Sequence, residues 1–294
     1  MKRSDDGTMN YVFFGTPRFA AIVLQKLIGA GMPPVAVVCN PDRPVGRKKV
    51  ITPPPVKVLA IAHGIAVLQP ERLDAGFIKT LRDLAPDVFT VAAYAKIIPQ
   101  AVLDISRLGT LGTHPSLLPR YRGASPIQSA ILHGDRETGA TIYLMDAKVD
   151  HGPILAQEAL AFDADKENYL SLEERLAELS GTLLAGVLPQ FHAGTAETRV
   201  QDDAAATFTK KFTTEDGFIS DEDFRTAESN DGNGTDPGAA RTLLHKINAL
   251  NPEPGCWTMR GGKRIKLLEA KLDGHGALAV TVIQEEGQRP KRIA

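Results

Sequence analysis

Apolar positions in the first half of the chain fall into short unbroken runs, separated by stretches with helical spacing. Residues 11–14 form one such run and stop at Gly15, Thr16 and Pro17. Behind them Phe19, Ile22, Val23, Leu24 and Leu27 recur every three or four positions, the repeat of one helix face. The alternation returns as a strand at 35–39, a helix at 57–63, a strand at 66–68, a helix at 77–84 and a strand at 87–93. Runs apolar on both faces suit parallel strands covered by helices. Strands alternating with helices predict an α/β fold with an open, doubly wound, mostly parallel sheet. Ligands of such sheets lie beyond the carboxyl ends of the strands. Gly15, Thr16, Asn40, Tyr94, Ala95 and residues 112–114 all follow predicted strands, so one crevice is expected to gather them.

Further along, residues 139–145 and 153–160 read as strands, with Asp150 on the loop between them. Residues 169–191 form a long helical pattern. The small, polar stretch 193–206 reads as a linker. Residues 218–238 are acidic and loop-like, and 229–238 is the one biased stretch. Residues 241–250 suggest a helix, and 256–259, 264–268 and 278–283 suggest short strands separated by turns, as in a small β-barrel. The expected organisation is a domain at 9–192, a linker at 193–206 and a smaller domain at 207–294.

The 294 residues are 43% hydrophobic and 23% charged, as in a soluble globular protein. The net charge of −1 excludes a global basic field, so any nucleic-acid contact needs a local patch. The two cysteines, Cys39 and Cys256, suit a reducing compartment rather than a disulfide scaffold. No apolar run approaches the ~20 residues needed to span a bilayer. Residues 1–8 are polar without a signal-peptide core, and Met9 reads as an alternative start. A cytoplasmic protein with no membrane association is expected.

The candidate chemistry centres on His114 and on Asp150 downstream of it. An imidazole and a carboxylate can form a general acid/base pair. Taken alone, the two residues also suit two unrelated loops. Gly15 and Thr16 form a glycine turn that lacks the three-glycine dinucleotide pattern. Arg43, Arg47, Lys48 and Lys49 concentrate basic charge just after a strand, although most charge runs are solvated surface. Lys210 and Lys211 follow the linker. The histidines show no ligand spacing, so no metal site is expected.

Residues 116–128, Ser-Leu-Leu-Pro-Arg-Tyr-Arg-Gly-Ala-Ser-Pro-Ile-Gln, together with His114 and Asp150, resemble the formyltransferase family that uses 10-formyltetrahydrofolate. The resemblance runs from about Met9 to about Lys266. It implies an OB-like second domain, a fold often used for nucleic acids. It also implies formyl transfer from 10-formyltetrahydrofolate to the methionine amino group of initiator methionyl-tRNA, by a monomer without metal. His114 and Asp150 would flank the formyl group. Tyr94, Ala95, Ile97, Ser116, Leu117, Leu118 and Pro119 would lie on the folate side, and Gly15 and Thr16 near the substrate end. Arg43, Arg47, Lys48 and Lys49 would meet the tRNA acceptor end and order only on binding, with Lys210 and Lys211 also near the tRNA. Residues 251–257 resemble a structural signature of the second domain.

The family pattern departs at Gly112, where an Asn is expected to bind the formyl oxygen as it gains charge. Loss of one oxyanion donor typically costs about 10²–10³ in rate. Restoring it by Gly112→Asn is therefore expected to recover that factor, unless Thr113 or a water substitutes. Rival readings are a formyltransferase acting on a sugar nucleotide or purine precursor, a formyl-folate hydrolase, and a tRNA- or folate-binding relative with catalysis weakened by Gly112.

Overall fold

The computed structural model describes residues 9–46, 48–228 and 237–293. In chain order the elements are β1 (Tyr11–Gly15), α1 (Arg18–Gly29), β2 (Ala36–Val38), β3 (Arg43–Val45), β4 (Val50–Thr52), α2 (Pro55–Ala62), β5 (Ala66–Leu68), α3 (Ala75–Asp83), β6 (Val88–Ala92), α4 (Gln100–Leu103) and β7 (Gly109–His114). There follow β8 (Arg122–Gly123), α5 (Pro126–Leu132), β9 (Glu137–Leu144), β10 (Ile154–Ala161), α6 (Tyr169–Ala193), β11 (Phe208–Thr209), α7 (Asp221–Glu228), α8 (Pro237–Leu250), β12 (Cys256–Arg260), β13 (Lys263–Leu272), β14 (Leu278–Glu285) and β15 (Lys291–Arg292).

Two compact units emerge. One gathers residues 1–122, 139–159 and 174–206, and the other gathers 123–138, 160–173 and 207–294. The first unit is built on a seven-stranded sheet of order β10-β9-β7-β6-β1-β2-β5. Strands β5, β2, β1, β6 and β7 run parallel, and β9 joins β7 antiparallel. From β1 the chain winds outward through β2 and β5, then returns to β6 and winds the other way. The order therefore reverses between β1 and β6, the kind of switch point at which open α/β sheets bind ligands. Beneath it Val12, Phe14, Val38 and Phe89 are fully buried. Phe14 meets Phe89 and Tyr94 edge-on, with ring centroids 5.1 and 5.4 Å apart.

The second unit carries an antiparallel sheet of order β12-β13-β14-β15. Helix α8 packs on β13 through one buried face that includes Leu244, Ile247 and Leu250.

Two segments expected as loops contain regular elements. Within 218–238, residues 221–228 form α7. Ser220 caps it, accepting from the Asp223 amide at 3.0 Å and donating to its carboxylate at 2.7 Å. The acidic residues of the first turn favour the positive end of the helix dipole, and Phe224 and Ala227 are buried. Composition hid a short amphipathic helix; residues 229–236 lie outside the described residues. The basic stretch likewise forms a hairpin of β3 and β4, paired Pro44 with Ile51 and Val45 with Val50. Gly46 and Lys49 adopt positive φ at its turn, and the Lys49 amide donates to the Gly46 carbonyl. Arg47 lies outside the described residues.

Candidate active site

Gly15 closes β1 where a side chain has no room. A Cβ there would sit 2.6 Å from Ala20 Cβ and 2.9 Å from the Ala92 carbonyl oxygen. The next residue, Thr16, begins a polar network at the strand ends. Its hydroxyl accepts from the Asn40 amide at 3.2 Å, and the Asn40 side chain donates to the Tyr94 carbonyl at 3.2 Å. Gln69 donates to the Asn40 carbonyl and to Asp42, and Lys57 donates to Asp42 at 2.8 Å. The Lys57 hydrogen bond holds the Asp42 carboxyl below its ordinary range. The network thus brings together Thr16, Asn40 and Tyr94, and adds Asp42, Lys57 and Gln69, which sequence spacing does not reveal.

His114 ends β7 and is buried. Its Nε2 lies 2.8 Å from the Tyr121 carbonyl oxygen. A carbonyl only accepts, so Nε2 carries the hydrogen, and Nδ1 is the nitrogen that can gain or lose a proton. Nδ1 faces Asp150 Oδ2 at 3.6 Å, beyond a direct hydrogen bond but within strong Coulombic reach of an imidazolium. Asp150 and Tyr121 both hold positive φ, 48° and 59°, an unusual backbone conformation for non-glycine residues.

The Asp150 loop is held from two sides. Tyr143, on β9, donates its hydroxyl to Asp150 Oδ1 at 2.6 Å. Burial first, then the Asp150 charge, pushes the Tyr143 phenol well above its usual range, so it acts as a neutral donor. From the other side the Gln201 amide donates to the Asp150 and Gly152 carbonyls at 3.0 and 2.8 Å. Its oxygen accepts from the buried Arg122 at 2.9 and 3.1 Å. Arg122 also pairs with Asp203 at 2.7 Å, which holds the Asp203 carboxyl below its ordinary range. Arg122 of the 116–128 motif is therefore scaffold for the Asp150 loop.

Gly112 pairs across the sheet with Tyr143, on the face shared by His114. A Cβ at Gly112 would fall 2.5 Å from Tyr143 Cζ and 2.8 Å from its hydroxyl oxygen. An Asn at 112 therefore requires the Tyr143 ring to shift. Thr113 does not share this face. Strand alternation turns it to the opposite face, where its buried hydroxyl has no hydrogen-bond partner among the described residues.

The remaining candidates divide. Ser116 donates its hydroxyl to the Arg120 carbonyl, and the Leu118 amide donates to Thr141, whose hydroxyl also receives Gln157. Leu118 packs with Tyr143 and Ile154. Leu117 lies against Gly139, while Pro119 is half-buried. The Tyr94 ring belongs to the core and offers the crevice only its backbone. Ala95 stands at positive φ, and Ile97 is 93% exposed. Arg43 pairs with Glu71 at 2.7 Å, Lys48 and Lys49 are exposed, and Lys210 is tied to Asp216 at 2.6 Å. Lys211 is exposed. Cys39 and Cys256 are buried, and burial pushes their thiols up to about 11 and about 12, which leaves them unreactive. Among the described residues no helix is long and apolar enough to cross a membrane, and no cluster of three His, Cys, Asp or Glu could hold a metal.

A parallel sheet with a His–Asp pair at its carboxyl end, followed by an antiparallel-sheet unit, defines the class: the chain belongs to the formyl transferase family. The family's pattern matches residues 9–188, and that of the formyl transferase C-terminal domain matches 238–290. The chain is 42% identical over 260 residues to the methionyl-tRNA formyltransferase of Halorhodospira halophila, covering 88% of this chain and 79% of that protein. It is 43% identical over 265 residues to the methionyl-tRNA formyltransferase of Chloroflexus aggregans, covering 90% and 81%. The structure of the methionyl-tRNA formyltransferase from Clostridium thermocellum shares the fold at a TM-score of 0.61 and 14% identity, covering 95% of this chain and 99% of that one.

Proposed function

We propose that this protein transfers the formyl group of 10-formyltetrahydrofolate to the methionine amino group of initiator methionyl-tRNA. The observation that carries the reading is the His114–Asp150 pair, held at the carboxyl end of β7 in a chain about 40% identical to enzymes of that name. The attacking amine must be neutral. As it adds to the formyl carbon, an oxyanion forms and the amine nitrogen becomes acidic. His114 Nδ1 takes that proton, and the Asp150 charge stabilises the resulting imidazolium. Collapse of the tetrahedral centre breaks the carbon–nitrogen bond to folate, and the proton returns to the folate nitrogen as it leaves. The donor and acceptor are both substrates, and no step needs a metal.

Residues Tyr94, Ala95, Ile97 and Ser116 to Pro119 are assigned to the folate side, with the contribution of Tyr94 coming from its backbone. Gly15 and Thr16 lie at the substrate end. Arg43, Arg47, Lys48, Lys49, Lys210 and Lys211 are assigned to tRNA. The working domain division is 9–192, linker 193–206 and 207–294, in a cytoplasmic monomer. The test is formylation of charged initiator tRNA by the purified protein with 10-formyltetrahydrofolate, beside a parallel reaction with an amino-sugar nucleotide. Transfer to tRNA supports the reading. Transfer to the sugar nucleotide alone, or formyl-folate hydrolysis without transfer, overturns it.

A further inference from the structure

Gly112 and Tyr143 face each other across β7 and β9, and the Tyr143 ring lies where a Cβ at Gly112 would be. The ring is buried and its hydroxyl ends on Asp150 Oδ1 at 2.6 Å, leaving Oδ2 to face His114 at 3.6 Å. A carboxylate on a loop has rotational freedom, which one strong neutral donor removes. The bare backbone at Gly112 leaves open the space that the ring occupies. The two residues are thus matched: the glycine makes room, and the tyrosine uses the room to clamp the carboxylate.

We propose that Tyr143 is a positioning residue for the reaction, its hydroxyl fixing the Asp150 carboxylate opposite His114 Nδ1, and that Gly112 is the cross-strand partner that admits its ring. The proposal rests on the reading of His114 and Asp150 as the reacting pair. It makes Gly112 part of a working arrangement rather than a lesion.

The test uses the full chain in three measurements. Tyr143→Phe keeps the ring and removes the hydroxyl. It should fold with a melting temperature near that of the parent and lower kcat about 10- to 100-fold with KM for both substrates unchanged, because misplacement acts on the reacting geometry. The imidazole nitrogen NMR signals of His114, assigned against His114→Gln, should move in Tyr143→Phe, which a purely structural ring would not cause. Gly112→Ala should lower the melting temperature by about 3–8 °C beside Tyr143 and by much less beside Tyr143→Leu, since the clash needs the ring. Unchanged kcat together with unmoved His114 signals would overturn the positioning role. Equal destabilisation by Gly112→Ala in both backgrounds would overturn the pairing. If the parent protein formylates no acceptor, the proposed function fails, and the NMR signals and melting temperatures still decide whether Tyr143 clamps Asp150.

Discussion

Arg122 grips the side-chain oxygen of Gln201 with two hydrogen bonds, of 2.9 and 3.1 Å, and through that contact residues 201–203 brace the loop that carries Asp150. A guanidinium in the 116–128 motif thereby reaches a glutamine in the stretch expected as a linker. The site depends on that stretch being packed.

Gln201→Ala should therefore act on stability and turnover together. It leaves the Asp150 and Gly152 carbonyls without their donor and removes an acceptor from buried Arg122. The expected cost is about 1–3 kcal/mol in denaturant unfolding, with slower formylation. A variant as stable as the parent would show that water replaces the brace.

Gly112→Asn should be less stable and no faster than the parent, because the new side chain meets the Tyr143 ring. Overpacking of this kind costs about 1–3 kcal/mol. Thermal melts and single-turnover formylation read both effects. A gain in rate with Tyr143 intact would show that the ring moves aside and that a donor at 112 was missing.

His114→Asn and Asp150→Asn should each lower single-turnover formylation by about 10²–10⁴-fold while the protein stays folded, the range for loss of a general acid/base function. Asp150→Asn keeps a partner for the Tyr143 hydroxyl and removes the charge opposite Nδ1, so it separates charge from shape. A rate within a few-fold of the parent for both variants would remove them from the chemical step.

Two arginines of the basic hairpin can be compared. Arg43 shares its charge with Glu71 on the surface, so Arg43→Ala should weaken tRNA use, but less than Arg47→Ala. Arg47→Ala should weaken tRNA use and lower the salt slope of binding by roughly one unit, leaving folate binding unchanged. Parent-like tRNA use by both variants across salt concentrations would reduce the hairpin to solvated surface.

Asp216 gives a pH signature. The Lys210 hydrogen bond, with the Thr213 amide, depresses its carboxyl to about 2 from the ordinary 3.8. Its contribution to stability is thus fully present above about pH 4 and is lost as the pH falls toward 2. The melting-temperature gap between the parent and Asp216→Asn should be constant at neutral pH and close between pH 4 and 2. A gap that does not narrow would show that the carboxylate is not held by Lys210.

The chain's local pattern determined the class of fold and the edge of the sheet where the candidate site lies. Apolar runs such as 11–14 and 87–93 bury both faces of parallel strands wherever the chain goes, and strand-end residues such as Thr16, Tyr94 and His114 inherit a common edge from that topology. The motif around residue 116 marked His114 and Asp150 directly. The side chains that hold Asp150 in place were not legible. That Tyr143 lies over Gly112 follows from the antiparallel register of β7 and β9, and a one-residue slip would turn it to the other face. That Gln201 holds the Asp150 loop follows from a return of the chain after α6 that no periodicity encodes. Spacing along the chain sets which residues share an element face, but contacts between distant elements are settled only when the whole sheet is packed. The Tyr143 ring against Gly112 is one such contact.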